Sequence, residues 1–337
     1  MTINKSFWAS NDNLAVKAWH EKLYRETILE SYFGKFMGKD GSSPVHVKDE
    51  VSKGPGDQIT FGIRMKLTGA GQESADSDFT LEGNEESLVT HSDAVTLKEI
   101  GHAVKGRNPM SQQRVFFSID SEAEAAIKDW GVEKLDSQIF DAIYASAFTK
   151  EFFASTATSA ATLTTAMKIT PALLMKAKAW AMTGGGRAQS PIRPIRVKGK
   201  MYYVVVLHPY QIYDLKQDAQ FQQWMREAEV RGSENPLFTG AVGMCDGMVI
   251  HDHERISKLT TGGSGSNVPY GRGFLLGAQA VALAWGHNKM KIESEETDYK
   301  RFKSYGITWI NGVKKIIFNS RDYGIVGITS ALTNLDA

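Results

Sequence analysis

The sequence predicts an α+β fold, and three observations carry that reading. Residues 115–148, VFFSIDSEAEAAIKDWGVEKLDSQIFDAIYASAF, repeat apolar side chains at helical intervals over an unusual length. Ile59, Phe61, Ile63, Met65 and Leu67 alternate strictly with Thr60, Gly62, Arg64 and Lys66, the period of a strand with one apolar face. Beyond residue 170, helical and strand-like runs follow one another irregularly, with no fixed internal period, which favours segregated helices and strands over a repeating βα order.

Taken in order, residues 1–12 carry no periodic pattern and read as a mobile arm in which Phe7 and Trp8 are apolar enough to dock. Leu14, Ala18, Leu23, Ile28 and Phe33 predict a helix over 14–37, ended by the segment from Gly38 to Pro44. The strand at 59–67 has a less regular partner over 88–104. Between them, TGAGQESADSDFTLEGNEES holds six acidic residues and neither Lys nor Arg. A connection of about 20 residues without structure of its own is uncommon in a compact domain, so 46–108 reads as a two-stranded arm with an acidic tip. An isolated hairpin is marginal in water. Its apolar face therefore lies on another subunit or folds back on its own domain, and the sequence leaves both open.

In the long helix the apolar positions are Ile119, Ile127 and Trp130, then, after a phase shift at Gly131, Leu135, Ile139 and Ile143. Asp120 or Ser121 can cap it, Glu122 and Glu124 suit its positive end, and Gly131 predicts a bend. Residues 154–168 are small and polar, a loop. Thr170-Pro171 starts a second helix that Gly184 to Gly186 stop. A basic run, RAQSPIRPIRVKGK, precedes the strand MYYVVVL (201–207), which is left at His208-Pro209. A helix over 214–230, a strand over 248–253, a flexible loop TTGGSGS and an Ala-rich buried helix over 274–285 come next. Residues 307–318, with an Asn311-Gly312 turn, and 323–328 predict closing strands, and ESEETD (293–298) predicts a solvated turn.

Composition narrows the function classes. Thirty-nine basic and 38 acidic residues among 337 exclude a nucleic-acid binder defined by overall positive charge. One cysteine, Cys245, excludes internal disulfides and multi-cysteine zinc sites, fits a reducing cytoplasm, and reads as a small buried hydrophobe. No apolar run approaches the ~18 residues of a membrane span, and the N-terminus lacks the apolar core of a signal peptide.

The best enzymatic lead is His251 and His253, two apart on a strand with Glu254 beside them, as a metal-dependent hydrolase would want. No HExxH or carboxylate set completes the site. Gly271, Gly273 and Gly277 miss the dinucleotide spacing by one residue and follow no strand, and neither GxSxG nor a cysteine signature occurs. The residues therefore predict no catalytic group, no metal and no cofactor.

Several recognisable blocks follow one another along the chain. They are LEGNEE (81–86), IGHAVKG (100–106) with Met110-Ser111 and Gln113-Arg114, the helix with Trp130, LHPYQIYDL (207–215) with Trp224, RGSENPLFTGAVGMCDGMVIHDH (231–253), LLGAQAVALAWG (275–286) and Asp298-Tyr299. Their order resembles the major capsid proteins of tailed phages, which share the Hong Kong 97-like (Johnson) fold, and more specifically the enquatro-like podophage family. The signature positions carried by this resemblance are His208, Pro209, Gln211, Trp224, Arg231, Asn235, Pro236, Gly240, Gly247, His251, Gly277 and Gln279.

The resemblance implies an N-terminal arm (1–45), an extended loop over a neighbour (46–110), a peripheral domain with a spine helix (111–194), an axial domain (195–300) and returning peripheral strands (301–337). It implies inter-subunit contact by Ile59, Phe61, Ile63, Met65, Leu67, Glu82, Glu85 and Glu86. It further implies hexamers and pentamers closing into an icosahedral shell around double-stranded DNA, held by non-specific contacts. Separate scaffolding and portal proteins are implied partners, with a cement protein as a further candidate; the site of assembly is the host cytoplasm and the destination the virion. The remaining alternative is a soluble metal-dependent hydrolase using His251, His253 and Glu254.

Overall fold

The structure, a computed structural model, describes residues 31–48, 57–65, 67, 69, 71, 81–105, 110, 113–114, 119–184, 191–197, 199–229, 242–286, 290–299 and 301–335, with side chains omitted at 119–120 and 225–229. The expected arm and most of the first expected helix fall outside them. The end of that helix does not form: Phe33–Phe36 make one 3-10 turn and Met37–Gly38 the short strand β1. The chain divides into two compact units, the larger comprising 31–100, 134–289 and 309–337.

The larger unit is built on an eight-stranded sheet. Its strand order is β6 (Glu151–Phe153), β18 (Ile325–Ala331), β12 (Val268–Leu276), β8 (Lys200–Leu207), β10 (Met248–Asp252) and β9 (Gly243–Cys245). Strand β11 (Lys258–Gly262) pairs with β12, and β7 (Ile195–Val197) with β8. MYYVVVL is a continuous apolar run because both of its faces are covered. Val205 and Leu207 share a core with Leu173, Leu174 and Ala177 of α2 (Pro171–Thr183), Ile212 and Leu215 of α3 (Pro209–Gln217), and Phe221 of α4 (Ala219–Glu229). Phe274, paired with Val206, meets Phe140 and Tyr144 of the long helix α1 (Ile119–Tyr144) at ring distances of 6.3 and 6.0 Å.

Helix starts and stops follow their sequence signals. The Thr170 side chain accepts from the Leu173 amide, Pro171 fills the first position, and Gly184 ends α2 in the left-handed region at φ 65. His208 does the same for α3, accepting from the Tyr210 amide. The helix expected over 214–230 is two helices, α3 and α4, with Asp218 between them capping the second.

A second set of strands in this unit consists of β1, β2 (Val45–Lys48) and β13 (Val281–Trp285), paired in parallel, followed by the C-terminal part of β15 (Phe302–Lys315) antiparallel to β13. Here the structure corrects the sequence reading. Residues 274–285 are not a helix: they end β12 and form β13, since a short apolar run buried on both faces has no period that separates the two states. Asn311-Gly312 is not a turn but lies inside β15. Asn311 is buried against Gln138, and a side chain at residue 312 would meet the Thr96 carbonyl oxygen at 2.3 Å, so Gly312 serves close approach. TTGGSGS is not a loop throughout: residues 260–262 end β11, with Gly262 paired to Val268, and the rest turns the chain into β12. The hairpin β3 (Gln58–Arg64) and β4 (Thr90–Thr96) lies on β13, and β16 (Ile317–Phe318) pairs with β17 (Arg321–Asp322).

The described part of the smaller unit comprises residues 101–105, 110, 113–114, 119–133, 290–299 and 301–308. In it β14 (Lys291–Thr297) pairs with the first half of β15, residues 302–308, and β5 (Lys98–Lys105) also pairs with β15. ESEETD is therefore mostly strand: Glu293, Glu295, Glu296 and Asp298 are exposed while its backbone pairs with β15. Ile127 is fully buried and Trp130 packs on His102 at 4.5 Å. Across residue 300, β14 pairs with β15, and β18 lies between β6 and β12.

Candidate inter-subunit surface

The hairpin expected to reach a neighbour is two surfaces with different burial. At its base, Ile59 and Phe61 of β3 and Val95 of β4 are buried against Ala282 and Ala284 of β13 and against Ile316, all of the same chain. The alanines make this possible by letting the two layers approach closely. Burying each large side chain contributes roughly 1.5–3 kcal/mol, so the base needs no partner. Asp93 fixes it further, accepting from Lys314 Nζ at 2.5 Å and from the Ile317 amide at 3.1 Å. Ile59 and Phe61 are thus core residues of their own subunit, a correction to the expected inter-subunit set.

The outer part is different. Ile63 and Met65 are half-buried, whereas Leu67 is 54%, Leu81 60%, Leu88 60% and Val89 50% exposed. The Met65 amide still donates to the Val89 carbonyl and the Gly69 amide to the Glu86 carboxylate, so the ribbon runs on past the end of the β3–β4 pairing. Glu82, Glu85 and Glu86 are exposed on it. Among the described residues, this exposed combination of apolar and acidic side chains forms a surface suited to another protein.

The helix positions Ile127, Leu135, Ile139 and Ile143 are buried and Trp130 is half-buried; the Ile119 side chain is outside those described. Of the signature positions, His208, Pro209 and Gln211 build one motif. Gln211 is fully buried, accepts from the His208 amide and donates to the Gly271 carbonyl and to Ser330 Oγ, tying α3 to β12 and β18. Gly271 and Gly273 leave room for that side chain, and Gly277 for Ile192 and Arg193, which explains the glycine spacing without a phosphate. Trp224 packs at the edge of this core. Gly247, at φ 69, completes an Asp246-Gly247 turn joining β9 to β10, a hairpin signal present in the sequence. Gln279, at φ 56, lies beside His46 and Arg193. Arg231, Asn235, Pro236 and Gly240 are outside the described residues.

His251 and His253 sit in an aromatic cluster. His253 meets Tyr32 edge-on and Phe140 at a tilt, with ring centroids 4.6 Å apart in each pair, and its Nδ1 accepts from the Arg255 amide; His251 lies 5.2 Å from Phe36, with Lys35 Nζ 3.4 Å from its Nδ1. Glu254 points to solvent, and no trio of His, Cys, Asp or Glu among the described residues could hold a metal. The cluster anchors residues 31–36, whose start is also held by Asp136: its carboxylate accepts from Ser31 Oγ and from the Tyr32 and Phe33 amides. Cys245 is buried, which pushes its thiol up to about 11.

Comparison with known proteins agrees with this architecture. The capsid of Ralstonia phage GP4 superposes with a TM-score of 0.85 at 24% identity, covering 99% of this chain and all of that one. The cyanophage Pam1 capsid gives 0.83 at 23% identity with the same coverage. The major capsid protein of Pseudomonas phage KPP25 is 25% identical, over 96% of this chain and 97% of its own length. The family described as phage capsid protein matches residues 8–160 and 131–333, nearly the whole sequence. With its fold shared by solved phage capsids and its length spanned by that family, the chain belongs to the phage capsid proteins.

Proposed function

We propose that this chain is the major capsid subunit of a tailed phage, a structural protein whose copies close into an icosahedral shell around double-stranded DNA. The observation that carries the reading within the family is the exposure, beyond the end of the β3–β4 pairing, of Leu67, Leu81, Leu88 and Val89 on a single copy. Such a surface gains cover only when a neighbour arrives, and each contact is repeated around a closed shell, so weak pairs sum to a stable particle. A net charge of +1 limits repulsion between packed copies. Residues 1–45 serve as the N-terminal arm, and separate scaffolding and portal proteins complete assembly.

The test is sedimentation and electron microscopy of the purified chain, with and without its scaffolding protein. Capsomers or megadalton shells are expected. A monomer under every salt and scaffold condition overturns the reading.

A further inference from the structure

We propose that a groove beside the β3–β4 hairpin receives the acidic outer ribbon of a second copy of this chain. The inference rests on the shell-subunit reading and names the receiving surface. The groove encloses about 440 Å³, and its lining includes the cations Lys48, Arg64 and Arg193 together with the rings of Phe61, Phe318 and Tyr323.

Its electrostatics call for an anion. Among the described residues none of these three cations pairs with a carboxylate: Lys48 Nζ rests 4.8 Å over the Phe61 ring, and Arg193 donates to Gln279 Oε1 at 3.5 Å. Three like charges around one cavity repel, and an anionic guest relieves that repulsion. The aromatic wall calls in addition for apolar side chains on the same guest, which a bare phosphate lacks.

The outer ribbon of this chain has that composition. Glu82, Glu85 and Glu86 are exposed next to exposed Leu81 and Leu88, within a run of 20 residues that holds six acids and no Lys or Arg. Glu82, Glu85 and Glu86 do not line the groove of their own chain, which leaves a second copy to present them.

A charge swap in the full-length chain tests this, read by sedimentation velocity and electron microscopy, with thermal melting as the control for folding. Arg64→Glu with Arg193→Glu is expected to lower particle yield about tenfold or more, as is Glu82→Lys with Glu85→Lys and Glu86→Lys, because like charges then face each other at every contact. Both sets combined in one chain are expected to restore most of the yield. Wild-type yield from either reversed surface overturns the inference, as does a combined variant no better than the single sets. Normal assembly with lost binding of double-stranded DNA by the Arg64/Arg193 variant assigns the groove to DNA and also overturns it. If a variant melts early, the wild type decides: carbodiimide treatment of mixed isotopically light and heavy copies is expected to join Lys48 of one to Glu82, Glu85 or Glu86 of another, and links confined to single copies count against the groove. A wild type that never assembles removes the shell reading itself, whereas assembly indifferent to the swap removes only the groove.

Discussion

Lys315 and Asp322 form a pair whose side chains are each only 2% exposed, with Nζ 2.8 Å from Oδ1. The ammonium also donates to the Ser146 and Ala147 carbonyls, and Asp322 Oδ2 accepts from the Thr149 amide. Neither charge can return to water if its partner is removed. Asp322→Ala is therefore expected to destabilise the subunit by about 3–5 kcal/mol in urea unfolding. His253 gives a pH-dependent prediction. Burial holds its imidazole below the ordinary range, against the opposing pull of Asp136, Glu254 and Asp252 and with a smaller contribution from Arg255. The folded state thus takes up a proton less readily than the unfolded chain. The stability due to the neutral ring is complete above about pH 6.5, the unfolded value, and is lost as pH falls below it. Between about pH 7 and 5 the melting temperature of the wild type should fall more steeply than that of His253→Gln; parallel curves would remove His253 from the effect. Both residues were visible in the sequence, but not their roles. The histidine spacing suggested a metal, and only the rings of Tyr32, Phe36 and Phe140 converted it into an anchor.

At the scale of elements, the signals that held were those carried by neighbouring residues. Thr170-Pro171 and Gly184 bound α2 as expected, and the periodicity of α1 located it to within a few residues. The signals that failed were those that distant chain overrides. Asn-Gly favours a hairpin turn, yet Gly312 stays in β15 because β4 crosses close above it. Gly312→Ala should cost about 1–3 kcal/mol in equilibrium unfolding, since backbone has to move to admit the methyl group. A loss under about 0.5 kcal/mol would mean the crossing is looser than described. The Ala-rich stretch over 274–285 failed for the same reason. Ala282 and Ala284 are small because Ile59 and Phe61 rest on that strand, a fact with no local trace.

For the molecule as a whole, the hairpin divides stability from assembly. Phe61→Ala removes a side chain from the subunit's own core and should lower its stability by about 3–5 kcal/mol, measured on the unassembled chain. Deletion of residues 69–86 removes a segment whose described residues, 69, 71 and 81–86, are all exposed. It should leave the melting temperature of the subunit nearly unchanged while particle formation fails, and a deletion variant that assembled normally would remove the ribbon from the shell contact.

The sequence by itself determined the α+β class, the long helix, the caps, the alternating strand and the order of blocks that resembles phage capsid proteins. Each of these is written in residues close along the chain, where propensity, periodicity and capping act. Only the tertiary structure decided which apolar face is covered by its own subunit and which is left uncovered. That division depends on contacts between segments some 200 residues apart, such as Phe61 with Ala284, and burial at that separation leaves no period to read.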